Sequence, residues 1–220
     1  MRDTHVTTLL LTTTLFCIGL IIGMSMTRVR VEYLDGGIAS LKEDIEAVEL
    51  GFLLTSTLEN SSCPYLQSQI ESISDIADEI GGRIVSMERS EQMDNTIYLS
   101  LKKDFMLVRL KYWILAERFK KSCNSNITTI LYFYSIRDCD ECGDQGTVLD
   151  YLQSEVDELY VFPVDAFENL TIMAAVREIF GIDTTPSIVM DGIYTYKGLQ
   201  NRDTLTGILC EKYNGSLGIC

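Results

Sequence analysis

The rhythm of apolar positions changes twice along the chain, dividing it into three stretches. Residues 6 to 24, VTTLLLTTTLFCIGLIIGM, are an uncharged and largely apolar run, close to the roughly 20 residues a helix needs to cross hydrocarbon. From 38 to 122 the apolar positions recur every three or four residues, with Pro64 as the lone proline, and that spacing predicts amphipathic helices. One stripe is Ile38, Leu41, Ile45, Val48 and Phe52. A second is Leu66, Ile70, Ile73, Ala77, Ile80 and Ile84, and a third is Leu101, Phe105, Val108, Tyr112, Leu115 and Phe119. Gly81-Gly82 interrupts the second at a cost of about 2 kcal/mol, so that helix is expected to stop early. MERSEQMDN, 87 to 95, reads as the connection to the third.

Past the polar CNSN the period shortens. ITTILYFYS (127–135) is β-branched, aromatic and uncharged, as a buried central strand should be. QGTVLDYLQSEV reads as helix, and LYVFPVD (159–165) as a strand that Pro163 confines to an edge or bulge. NLTIMAAVREIFGI reads as a helix with Asn169 as cap and Gly181 as stop. SIVMDGIYTYKG is a hairpin turning at Asp191-Gly192, and NRDTLTGILCEKY a closing helix. The order is βαβαββα.

The apolar N-terminal run is expected to be a retained anchor, residues 1–25, with Cys17 as one more buried apolar side chain. The rival is a cleaved leader ending near Gly23-Met24-Ser25, but the run exceeds a usual leader core and only Arg2 precedes it. Arg28 and Arg30 against Arg2 leave the positive-inside rule nearly silent. Six cysteines outside the run, and sequons at Asn60, Asn126, Asn169 and Asn214, favour a single-pass protein whose body lies on the exterior face. Residues 31–122 would then form a helical stalk or hairpin, whose helices are expected to pack against each other or against the next domain, and 124–220 a distinct α/β domain.

Charge and composition remove whole classes of function. Eighteen basic residues against 32 acidic ones give a net charge of −14, which repels a phosphate backbone, so nucleic acid is not an expected partner. No phosphate-cradling glycine pattern occurs. His5 is the single histidine, which leaves serine and cysteine hydrolysis without their usual base and makes histidine-ligated metals improbable. No metal and no cofactor is expected, and oligomeric state is not legible. Unusual chemistry is left to cysteine.

Cys63 precedes the second helical stripe and Cys123 follows the third. If those helices run antiparallel, a bond between them clamps the open end of the hairpin; two free or intermolecularly paired thiols are the alternative. Cys210 and Cys220 flank Asn214-Gly215, where the chain can turn back, and a mutual bond would fasten the tail, although spacing cannot fix connectivity. Cys139 and Cys142 differ from both pairs, for they fall where a strand runs into a helix. A thiolate there faces unpaired N–H groups and the positive end of the helix dipole. The thiolate is the attacking species, and a second cysteine one turn on can resolve the mixed disulfide. Cys139 is therefore assigned as attacking and Cys142 as resolving. Asp138, Asp140 and Glu141 oppose a further negative charge, with Arg137 partly offsetting them, which favours a relatively reducing couple.

The cysteine pair after the first strand, the element order, and TTPS with Pro186 opening the third strand together resemble the thioredoxin superfamily over 127–213. The resemblance implies a minimal thioredoxin-like α/β fold, here preceded by a transmembrane helix and a helical segment. It also implies a membrane-anchored thiol–disulfide oxidoreductase that exchanges disulfides with protein substrates and a redox partner protein. Thr185 and cis Pro186 would hold an extended substrate segment beside Cys139. The first strand lacks the buried carboxylate that many members use to move protons. Three other readings stand beside this one: a Cys139–Cys142 bond that never turns over, a metal site needing two further thiolates, and a scaffold whose acidic surface recruits a partner.

Overall fold

The computed structural model describes residues 12–21, 43, 46–47, 49–51, 53–54, 63–88 and 95–220. By contact density the chain falls into two units, Met1–Ala47 and Val48–Cys220. The stripe Ile38, Leu41, Ile45, Val48 and Phe52 lies outside the described residues, as do 6–11 and 22–24 of the apolar run.

The second unit is built from α1 (Cys63–Glu88), α2 (Asn95–Cys123), β1 (Thr128–Tyr134), α3 (Cys142–Glu155), β2 (Leu159–Asp165), α4 (Thr171–Phe180), β3 (Ser187–Met190), β4 (Tyr194–Lys197) and α5 (Arg202–Lys212). The strands form one mixed sheet in the order β2-β1-β3-β4. β1 runs parallel to β2 and antiparallel to β3, and β3 antiparallel to β4. The uncharged β1 occupies a central position with nearly every residue buried, while β2, which carries Pro163, takes an edge.

Alternation along β1 sends side chains to two cores. Leu131 and Phe133, with Phe162, Val164 and Val189, pack under α2 and α4 through Met106, Leu110, Trp113, Met173 and Val176. Ile130 and Tyr132, with Ile188 and Met190, pack under α3 and α5 through Leu149, Leu152, Leu205 and Leu209. α2 is therefore buried on two sides. Leu101, Val108 and Leu115 are 2–3 % exposed and belong to the expected stripe along α2, which has its largest set of neighbours in α1. Met106, Leu110 and Trp113 cover the sheet.

This arrangement corrects the expected fold class. The chain is helix-rich, and it is not a minimal thioredoxin-like domain that a membrane helix and a helical segment merely precede. The helical segment supplies a layer of the core, because α2 carries a second apolar face that the single stripe did not count. Localisation as a single-pass membrane protein with its body outside is likewise overturned: among the described residues no helix is long and apolar enough to cross a membrane.

Three local expectations also change. α1 runs through Gly81-Gly82 to Glu88, since burial of Ile80 and Ile84 against α2 outweighs the propensity cost. A Cβ on Gly81 would sit 3.4 Å from the Phe105 ring, so the small residue allows close approach. Asn169 caps nothing; α4 begins after Leu170 without a side-chain cap and ends at left-handed Gly181. The hairpin loop spans three residues, Asp191 to Ile193, with φ of 54° at Asp191 and 64° at Gly192.

Asp191 ties that loop to the body. Its carboxylate accepts hydrogen bonds from Thr129 N–H and from Lys212 Nζ at 2.7 Å, and pairs with Lys120. Burial works to raise the Asp191 carboxyl, but the two lysines outweigh it and hold the group below the usual carboxylate range; Lys212 is itself pulled down by burial. A lowered folded-state value adds stability above the unfolded pKa of about 3.9 and loses it as pH falls through the folded value. Asp191→Asn should accordingly flatten the acid limb of a stability–pH curve measured by denaturant titration below about pH 4. An unchanged limb would show that the network carries no proton linkage.

Candidate active site

The sheet positions the site. β1 ends at Tyr134, and the loop 135–141 carries the chain across to α3, whose first residue is Cys142. Ser135, buried at the strand end, accepts hydrogen bonds from Arg137 N–H at 3.2 Å and Asp138 N–H at 3.5 Å, which curls this loop back. Glu141 occupies the cap position of α3 yet makes no side-chain cap. The first-turn amides of α3 thus receive no side-chain acceptor from that residue.

Cys139 and Cys142 are joined, with Cα atoms 5.5 Å apart. Cys139 is half-buried, and Cys142 is 8 % exposed. An incoming group therefore has access to the first sulfur before the second. Tyr132 fixes the second from below: its hydroxyl donates to the Cys142 carbonyl at 2.5 Å, and burial pushes the phenol up to about 12. Tyr132 stays a donor across ordinary pH. Tyr132→Phe should destabilise the fold by about 1 kcal/mol and speed amide exchange in the first turn of α3. Exchange equal to wild type would show that the bond does not hold that turn.

Gln145, one turn on and fully buried, accepts from Gln200 N–H at 2.7 Å and so ties α3 to the β4–α5 loop; its Nε2 has no partner among the described residues. The Thr185–Pro186 peptide is cis. β3 begins with Ser187 opposite Phe133, so this bond lies at the end of the sheet from which the dithiol loop departs. Gly198 N–H donates to the Pro186 carbonyl at 2.8 Å and steadies it.

Both cysteines open on a cleft of about 740 Å³ that reaches across β2 to α2. Thr185 and Pro186 are not among its walls. Lys102, Phe105 and Arg109 enter from α2, and Tyr132 and Tyr134 from β1. Burial lowers the Arg109 pKa, and burial raises that of Tyr134, next to which Asp165 adds a like push. Asp165, 6 % exposed, is in register with Tyr134 at the end of β2. A buried carboxylate is therefore present one strand away from the position where β1 has none.

The other cysteine pairs are also bonded. Cys63–Cys123 joins the start of α1 to the end of α2, with Cα atoms 5.6 Å apart and a separation of 60 residues. Cys210–Cys220 closes the tail over a separation of 10, turning at Asn214 and Gly215, both at positive φ. Cys17 is free and exposed, not the buried side chain expected. No metal-holding cluster of three or more His, Cys, Asp or Glu occurs among the described residues.

Sequence reasoning missed the α2 wall and the tyrosine beneath the site. The hydroxyls of Tyr132 and Tyr134 on alternate positions near the end of an uncharged strand were a usable signal. Lys102 and Arg109 gave none, being 37 and 30 positions upstream of Cys139 on a helix whose second face was not counted.

No family model and no curated protein matches the chain. Among solved structures, one described as that of a malarial protein is 19 % identical, with a TM-score of 0.33 over 39 % of this chain and 97 % of its own length. A likeness that loose carries no argument.

Proposed function

We propose that the protein is a thiol–disulfide oxidoreductase acting on protein disulfides through Cys139 and Cys142, with chemistry of the thioredoxin-superfamily type. The observation that carries this reading is the asymmetry of the pair: a half-buried sulfur before the first turn of α3 and a buried one within it, both opening on one cleft. In the reduced protein the Cys139 thiolate attacks a substrate disulfide. A Cys139–substrate S–S bond forms, the substrate S–S bond breaks, and the departing sulfur takes up a proton. Cys142 then attacks the Cys139 sulfur, restoring the Cys139–Cys142 bond and releasing the second substrate thiol. The substrate gains two electrons and the dithiol loses them; a dithiol or thiol reductant returns them, and running the steps backwards makes the protein an oxidant.

Cys63–Cys123 and Cys210–Cys220 are assigned as structural bonds, since each fastens helix or chain ends and neither sulfur pair lines the cleft. Insulin-disulfide reduction driven by dithiothreitol tests the proposal. Wild type should exceed the uncatalysed rate, and Cys139→Ser should fall back to it. Equal rates for the two proteins would leave only a static bond in a binding scaffold.

A further inference from the structure

The chain as a whole is strongly acidic, with 18 basic residues against 32 acidic. The cleft beside the dithiol reverses that balance, for its charged lining consists of Lys102, Arg109 and Asp150. Asp150 is exposed on the opposite wall. Lys102, Phe105 and Arg109 are spaced three and four apart on α2, so they share one helix face. The Arg109 guanidinium stacks over the Phe105 ring at 4.3 Å, and its Nε is buried without a hydrogen-bond partner among the described residues. Asp78 and Asp150 lie near enough to act on its charge, yet neither forms an ion pair with it within 4.0 Å among the described residues. A buried guanidinium donor left unmatched costs free energy that an incoming carboxylate recovers.

Resting on the oxidoreductase reading, we propose that this cleft selects polypeptide disulfides that carry an acidic residue beside the reacting cysteine, with Arg109 and Lys102 receiving the carboxylate and Phe105 and Tyr134 covering its methylenes. This wall is separate from the Thr185–Pro186 segment, so it adds a specificity element from a helix outside the βαβαββα stretch. Arg109 and Lys102 are positioning residues, since neither is required for sulfur exchange itself.

The test uses the full chain, reduced, reacting with short peptides whose single cysteine is a 2-pyridyl mixed disulfide. The peptides differ only in a Glu, Gln or Lys beside that cysteine, and release of the neutral pyridinethione is followed by stopped flow. A neutral 2-hydroxyethyl pyridyl disulfide serves as control. Wild type should react about tenfold faster with the Glu peptide than with the Lys peptide, against the repulsion its net charge exerts at long range. The Lys102→Gln/Arg109→Gln protein should narrow that ratio to about twofold or less, with the control rate unchanged, and Arg109→Lys should keep most of the preference. If the double variant loses the control reaction through misfolding, Lys102→Gln alone is read, and its ratio should fall while its control holds. A wild-type preference for Lys, no preference at all, or an undiminished Glu preference in the variants overturns the proposal. A control that fails in wild type removes the dithiol reading, and this one with it.

Discussion

Cys142→Ser should turn a fleeting covalent species into the main product. Once Cys139 has attacked a substrate disulfide, the mixed disulfide is normally cleared by Cys142, the first residue of α3, which is 8 % exposed and whose carbonyl accepts the Tyr132 hydrogen bond. Serine oxygen cannot complete that step. Incubated with a protein disulfide, the variant should accumulate a complex that is stable on non-reducing gels, released by dithiothreitol, and attached through Cys139. The wild-type protein should show only traces of it, and Cys139→Ser should form none. The asymmetry decides the direction of the experiment: were the two sulfurs equivalent, either serine variant would trap substrate equally well. Equal trapping by the two variants would remove the assignment, and trapping through Cys142 alone would reverse it.

The second large effect concerns stability. Cys63 and Cys123 join the first residue of α1 to the last of α2 over 60 positions. On the chain-entropy account, closing a loop of that length stabilises by about 4 kcal/mol. For a unit of this size the loss corresponds to a fall of roughly 8 to 16 °C in melting temperature. The consequence spreads beyond the helices, because α2 supplies Met106, Leu110 and Trp113 to the core under the sheet. A Cys63→Ser/Cys123→Ser protein should show the shift in a denaturant midpoint at unchanged slope. A change under about 1 kcal/mol would mean that α1 and α2 are held by packing alone.

What the sequence disclosed followed from period and chain order. β1, α3, β2, β3 and β4 could be read from 127–197 because each carries one unambiguous rhythm and is bounded by glycine, proline or a change in polarity. The pairing of Cys63 with Cys123 was suggested by where helices start and stop, and that of Cys210 with Cys220 by the turn residues Asn214-Gly215, although spacing alone left both open. What escaped was everything decided across the chain. α2 satisfies two interfaces at once, and a helix buried on both sides blurs the single stripe from which a helical stalk or hairpin was inferred. α1 passes Gly81-Gly82 because Phe105 packs there, a contact that local propensity cannot register. The apolar run 6–24 resembled a membrane span by length and hydropathy alone. Within the site, Cys139 and Cys142 were visible as a motif. Tyr132, Gln145, Lys102 and Arg109 earn their places only through the folded sheet.

The central claim is that one of three bonds in this protein exchanges while the other two endure. Equilibrating the folded full chain in dithiothreitol buffers of graded potential, alkylating, and reading each cysteine pair by mass spectrometry measures it directly. Cys139–Cys142 should open reversibly as a two-electron couple, more reducing than the strongest oxidants near −120 mV, at potentials where Cys63–Cys123 and Cys210–Cys220 remain closed. Opening of either outer bond first, with Cys139–Cys142 still oxidised in the folded protein, would contradict the account.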